Sequence, residues 1–234
     1  MKIGPKSKQN NLITKTMKKI LMSALILAII LSCKKETTTE EVVLNKNETP
    51  IERLISGNKR FLNEKLIHPH QNKKTLLENQ NAQHPFAIIL TCSDSRVAPE
   101  ILFDQGIGDL FVIRNAGNLI SNIDMGSIEY AVEHLDAKLI IVLGHTECGA
   151  IKAYVGDKNN DYKKHISHID DIVETIANEN EEKKILKENN LNSCIIANIK
   201  HSFKMIEDNP IVKEMHVKVV PMQYDIHNGT ILQL

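Results

Sequence analysis

Five consecutive residues, Cys92-Ser93-Asp94-Ser95-Arg96, set a soft metal ligand, a carboxylate and a guanidinium side by side. A second cluster, Gly144-His145-Thr146-Glu147-Cys148-Gly149, adds an imidazole and another thiol. Thiolates and imidazole suit zinc, and a three-ligand set leaves a fourth position open, as catalytic zinc sites require. His145 and Cys148 lie three residues apart, about one helical turn, so both can face one ion. Cys92 must come from a separate element, 53 residues earlier. With no fourth Cys or His beside them in sequence, the set favours an open site over a closed structural one. Asp94 and Arg96, two apart, share a face of an extended segment, where a guanidinium can grip a carboxylate with two hydrogen bonds. A carboxylate held that way can orient a water at the metal, or swing in as a fourth ligand and shut the site. The bland alternative for this pair is an ordinary loop ion pair. A metal-free thiol enzyme with Cys92 as nucleophile is the other chemical reading, and two cysteines converging on one histidine argue against it. Ser93 and Ser95 sit in no nucleophile elbow and read as loop hydrogen bonders.

Both clusters follow short apolar runs that read as buried strands, Phe86–Leu90 and 138–143. A third run, Leu110–Ile113, stands between them, followed by Arg114-Asn115-Ala116-Gly117-Asn118 as a tight-turn loop. A short helix from Pro99 to about Phe103 joins the first two runs. A helix over 122–136, with Ile123, Met125, Ile128, Ala131, Val132 and Leu135 on one face, joins the next two. Strands alternating with helices predict parallel βαβ units, and in such sheets ligands bind beyond the strands' carboxyl ends. Helices are expected over 50–62, about 72–82, 147–155 and 191–208, with a charged helical stretch over 160–190. Strands are expected over 215–220 and 222–233, with Asn228-Gly229 marking a turn.

The chain has 234 residues, with 29 basic and 29 acidic side chains and no tryptophan. That balance gives no electrostatic footprint for nucleic acid and no aromatic platform for bases. Residues 1–33 read as a targeting segment: Lys15, Lys18 and Lys19, an apolar run from Ile20 to Leu31, then Ser32-Cys33. The run is too short for a comfortable membrane span and resembles a bacterial lipoprotein signal, in which Cys33 is lipidated and becomes the mature N-terminus. Leu31 is bulkier than usual at its position, and Met17 is an alternative start. An uncleaved anchor is the other reading, and both take the protein out of the cytoplasm. Residues 34–49 read as a disordered polar tether, and 50–234 as one α/β domain.

Cys92-Ser93-Asp94-Ser95-Arg96-Val97 taken with His145-Thr146-Glu147-Cys148-Gly149 resembles the signature of the β-class carbonic anhydrases. The likeness covers about 50–155, including Gly57-Asn58, Arg60-Phe61, Gly108 to Val112 and Arg114-Asn115, and returns at Tyr224-Asp225-Ile226 and Gly229. It implies one zinc ion on Cys92, His145 and Cys148, an Asp94–Arg96 catalytic dyad, and reversible hydration of carbon dioxide to bicarbonate and a proton. The expected fold is a central sheet of four parallel strands with an antiparallel fifth, flanked by helices. The 50–82 helices would pack over a partner, giving a homodimer or a dimer of dimers. Gln83 matches a substrate-bonding glutamine of some members, and Phe111, Ala116 and Tyr130 match apolar pocket positions, partly supplied by a neighbouring subunit. Gly149 can offer a backbone N–H to an anion at a helix start. Relatives with the same ligands act on carbon disulfide or carbonyl sulfide, and a non-catalytic zinc-stabilised lipoprotein is a further alternative. A lipid on Cys33 would hold the domain at the membrane on the periplasmic side of the cell envelope. Outside these motifs, Cys194 reads as a buried structural thiol, and His165 with His168 as solvated surface.

Overall fold

The computed structural model describes residues 47–158, 167–179 and 190–234. The segment 1–33 with Cys33, most of the 34–49 stretch, His165 and much of the charged 160–190 stretch lie outside the described residues. The residues from Asn45 to Leu234 form one compact unit.

Its centre is a five-stranded sheet in the order β2-β1-β3-β4-β5. The strands are β1 (Ala87–Cys92), β2 (Leu110–Asn115), β3 (Leu139–His145), β4 (Lys218–Tyr224) and β5 (Ile231–Gln233). The first four run parallel, and β5 closes the edge antiparallel to β4. Every residue of β1 and β3 is buried, which is why both read as unbroken apolar runs and not as alternating ones. Alternate residues face opposite cores. Ile88, Leu90, Ile140 and Val142 belong to one cluster, and Ala87, Ile89, Leu139, Ile141 and Leu143 to the other. Each fully buried aliphatic side chain contributes about 1.5–3 kcal/mol relative to exposure, so these two strands anchor the fold.

The first cluster is covered by α4 (Asn122–His134), α5 (Gly149–Lys158), α6 (His168–Glu179), α7 (Leu191–Asp208) and α8 (Pro210–Glu214). The opposite face carries α1 (Pro50–Leu62) and α3 (Pro99–Leu102), with Leu54, Leu102 and Phe103 buried against it. A six-residue helix, α2 (Lys73–Glu78), lies between α1 and β1 in the chain. Helix α1 starts with Pro50 at its first position and a capping box in which Thr49 and Glu52 satisfy each other's backbone N–H groups. It is fastened to its own chain: Asp104, which is buried, takes Arg60 Nε at 2.5 Å and the backbone N–H groups of Ile67 and His68.

Several expected boundaries move, each for a local reason. Helix α2 stops at Glu78, short of residue 82, because the Asn79 side chain bonds back to the Thr75 carbonyl and closes the helix. Arg114 and Asn115 are the last residues of β2 and not the start of the loop. Ile123 is 82% exposed and leaves the expected face of α4. At about 100° per residue it points roughly 140° away from Ile128, so the core stripe begins at Met125. Strand β4 runs unbroken through Pro221 to Tyr224, and only Ile231–Gln233 forms the last strand. Pro221 is tolerated because its carbonyl accepts from Leu234 N on the β5 side. The missing N–H faces the same side, away from β3. Helix α8, between α7 and β4, was not foreseen.

Candidate metal centre

Strand order 2-1-3 makes the gap between β1 and β3 the point where the chain reverses its direction of winding. The carboxyl ends of the flanking strands open there into a crevice. Cys92 is the last residue of β1 and His145 the last of β3. Cys148 precedes α5, and the backbone N–H groups of Ile151 and Ala150 at the helix start favour its ionised form. The potential ligand atoms of these three residues lie within 4.8 Å of one another, and all three residues are buried. The fold therefore brings together the three residues that the sequence offered as metal ligands.

The chemistry of the cluster fits a thiophilic cation. His145 is fully buried, and its Nδ1 pairs with the Thr146 carbonyl at 2.8 Å. That bond orients the ring and leaves Nε2 aimed into the site, where it has no hydrogen-bond partner. An orphaned buried nitrogen facing two buried thiols is a donor set waiting for zinc. The cluster favours ionisation of one thiol first. A hydrogen bond from Cys148 holds the Cys92 thiol well below its usual range against the opposing cost of burial, with His145 and the Gly117 and Asp94 backbones contributing. The same contact, with burial, pushes Cys148 up. Burial disfavours the charged form of His145, but the nearby Cys92 thiolate, the Thr146 carbonyl and Asp94 together outweigh it and raise the His145 pKa.

Asp94 stands beside the cluster and outside it. Its Oδ2 is 3.9 Å from His145 Nε2. Arg96 takes the carboxylate in a fork, Nε to Oδ1 at 2.9 Å and Nη2 to Oδ2 at 2.7 Å, and adds its backbone N–H to Oδ1. Those bonds from Arg96 hold the Asp94 carboxyl well below the ordinary carboxylate range. Arg114 supports this loop from β2, donating Nε to the Cys92 carbonyl and Nη2 to the Asp94 carbonyl. Sequence reasoning missed that role because it placed Arg114 in a turn. Its place at the end of a strand parallel to β1 was the signal available.

The remaining candidates divide. Gly149 opens α5, is exposed, and has nothing within 4 Å of where a Cβ would stand. Ala116 lies next to Gly117, whose N–H reaches Cys92 Sγ at 3.4 Å. Phe111 and Tyr130 pack together with ring centroids 6.4 Å apart, and Tyr130 is 47% exposed. Gln83 is not brought to the site within one chain. It is exposed and lies before β1, and the strand alone puts about 16 Å between that end and Cys92. His168 is exposed against Asp171, and Cys194 is buried in α7 as expected.

A family model described as carbonic anhydrase matches residues 87–231. The chain is 53% identical over 100 residues to a carbonic anhydrase of Mycolicibacterium smegmatis, covering 43% of this chain and 48% of that one. It is 45% identical over 124 residues to carbonic anhydrase 2 of Mycobacterium tuberculosis, covering 53% and 59%. The chain thus spans about half the length of the curated relatives it matches. One of two tetrameric β-carbonic anhydrases of Sordaria macrospora superposes with a TM-score of 0.60 at 26% identity, covering 80% of this chain and 98% of that one. The chain belongs to the carbonic anhydrase family, and its sheet and flanking helices are those of the β class.

Proposed function

We propose that this protein catalyses the reversible hydration of carbon dioxide to bicarbonate and a proton, with one zinc ion held by Cys92, His145 and Cys148. The observation that carries this reading is the ion-paired Asp94 carboxylate, 3.9 Å from the unpartnered Nε2 of a buried ligand histidine. A purely structural metal site needs no such carboxylate. Bound zinc supplies Lewis acidity that makes hydroxide available from water near neutral pH. Asp94, kept ionised by Arg96, accepts a hydrogen bond from the attacking water and turns its lone pair toward carbon dioxide. The open N-terminal face of α5 at Gly149 offers a backbone N–H to the anionic product. Ala116 borders this chain's own site beside Gly117, whereas Phe111, paired with Ile88 four residues before Cys92, and Tyr130 packed on it would form an apolar wall only for the site of a neighbouring subunit. Gln83 serves, if at all, the site of a neighbouring subunit, and the tetrameric Sordaria structure supports a dimer or dimer of dimers here. The released proton passes to buffer.

We further propose that Cys33 is lipidated and that the domain works in the periplasm, tethered to a membrane. The basic residues, the apolar run and the cysteine after Ser32 support this. Among the described residues no helix is long and apolar enough to cross a membrane. Carbon dioxide crosses membranes easily and bicarbonate does not, so interconversion just outside could serve carbon supply or pH balance.

Stopped-flow hydration on the zinc-loaded protein tests the activity. The expected result is a rate well above buffer across about pH 7–9, with zinc near one per chain and lost in Cys148→Ala. A zinc-replete protein with no rate above buffer would refute the assignment. For the anchor, Cys33→Ser should move the protein from the membrane to the soluble periplasmic fraction. An unchanged distribution would remove the lipid.

A further inference from the structure

Helix α7 supplies none of the three candidate ligands, yet it grips the backbone behind two of them. Asn198 donates Nδ2 to the Gly117 carbonyl at 2.8 Å, and Ser202, one turn on, donates Oγ to the Asn118 carbonyl at 2.9 Å. Both side chains are buried. The turn they hold is unusual: Gly117 has φ +82° and Asn118 φ +49°, so two successive residues sit in the left-handed region. That conformation places the Gly117 N–H 3.4 Å from Cys92 Sγ. Between the two gripping residues, Ile199 presses on Gly144, the neighbour of His145, where a Cβ would come within 2.3 Å of Ile199 Cγ1. One helix face therefore sets the turn that bonds the thiolate and the strand end that carries the imidazole.

We propose that Asn198 is a positioning residue for the metal centre. It acts through Gly117, whose N–H stabilises the Cys92 thiolate and tempers its donation to the metal. This rests on the zinc reading above. The physical warrant is that a left-handed pair of residues holds its shape only when its surroundings fix it. The carbonyl between Gly117 and Asn118 is the handle by which Asn198 does so. Partners one step outside the ligands typically change metal affinity about 10–100-fold when removed.

The test uses the full-length protein loaded with zinc, and separately with cobalt(II). Asn198→Leu keeps the side chain's size without the donor, Asn198→Gln keeps a donor, and Ile206→Ala loosens the same helix away from the turn. Transfer of zinc to a chromogenic chelator gives the release rate, and the thiolate-to-cobalt absorption band reports the bonding at Cys92. Asn198→Leu is expected to release zinc about 10–100-fold faster and to shift the cobalt band. Asn198→Gln should recover much of both, and Ile206→Ala should leave the band in place. An Asn198→Leu protein with wild-type release rate and band overturns the proposal, as does an equal effect of Ile206→Ala, which would mark general loosening. A wild-type protein that takes up no zinc removes the zinc reading and this inference together. Normal uptake with an unaffected Asn198→Leu removes this inference alone.

Discussion

Substituting Gly144 by alanine should change sign with the residue that faces it. Gly144 lies in β3 with an ordinary backbone conformation, so alanine there meets no torsional objection. By itself such a change restricts the unfolded chain and stabilises by about 0.4–1 kcal/mol. The new Cβ, however, stands 2.3 Å from Ile199 Cγ1 and 2.4 Å from Cδ1, well inside contact distance. Ile199 is fully buried in the cluster between β3 and α7 and has nowhere to swing. Forcing a carbon into a packed core costs about 1–3 kcal/mol, so Gly144→Ala is expected to destabilise the wild-type background by about that amount. Ile199→Ala removes both clashing atoms and costs about 2–5 kcal/mol through the cavity it leaves. In that background the nearest atom left is Asn118 Oδ1 at 3.5 Å, an ordinary contact, and Gly144→Ala should become neutral or stabilising. The two substitutions should therefore couple by about 1.4–4 kcal/mol, the span between the two signs. Urea unfolding of the zinc-loaded single and double variants measures this directly. If Gly144→Ala costs the same with and without the Ile199 side chain, α7 does not seat against β3 as described.

Asp94→Asn keeps the shape of the carboxylate and removes its charge. It should lower carbon dioxide hydration by about 10–100-fold while zinc stays near one per chain, and a fully active variant would end the role assigned to the dyad. Because Asp94's pKa is lowered, it is ionised throughout the working range, so wild-type pH–rate profiles should show no inflection from it. The linkage follows the same sign: the stability this pair adds is present above the unfolded carboxyl value of about 3.9. It is lost as pH falls through the depressed folded value. Arg96→Leu should accordingly lower stability above about pH 4, where the pair contributes fully, with the loss shrinking as pH falls further, and a deficit confined to pH below about 4 would contradict this. Asp104→Ala breaks a buried ion pair with Arg60 and orphans two backbone N–H groups. It should cost about 3–5 kcal/mol in urea unfolding, and a loss below about 1 kcal/mol would show that α1 is held mainly by other contacts.

The Cys92, His145 and Cys148 cluster and the strand-helix alternation were legible because residue type and apolar runs mark them locally. Uninterrupted apolar runs bury on both faces, and Cys, His and Cys have few other uses at strand ends. Less legible was whatever depends on long-range register. Pro221 read as a break because its tolerance comes from facing Leu234, a neighbour that only the folded sheet supplies. Ile123 shared a list with core residues because proximity in sequence hid an angle of roughly 140°. Arg114 and Asn198 reach the site from 22 and 81 residues away from the atoms they hold, and neither spacing carries a pattern that a linear reading could find.

These late-found residues explain why the early ones work. Cys92 ends a strand that is flanked by β2 and β3, and the next two residues must leave the sheet without losing their place. Arg114 from β2 holds the carbonyls of Cys92 and Asp94, and Ser93 N bonds to the Asn115 carbonyl, so the exit is pinned along its length. On the other side, Thr146 N pairs with the Tyr224 carbonyl, and its hydroxyl accepts from Ile226 N, fastening the exit from β3. With both exits fixed, Asp94 can stay close to His145 without joining the ligand set, because its oxygens are already occupied by three donors from Arg96. A shift of Asp94 toward His145 would pull against the Arg96 fork and against Arg114's hold on the Asp94 carbonyl. The anchoring of the loop thus keeps Asp94 beside the Cys92, His145 and Cys148 cluster and outside it.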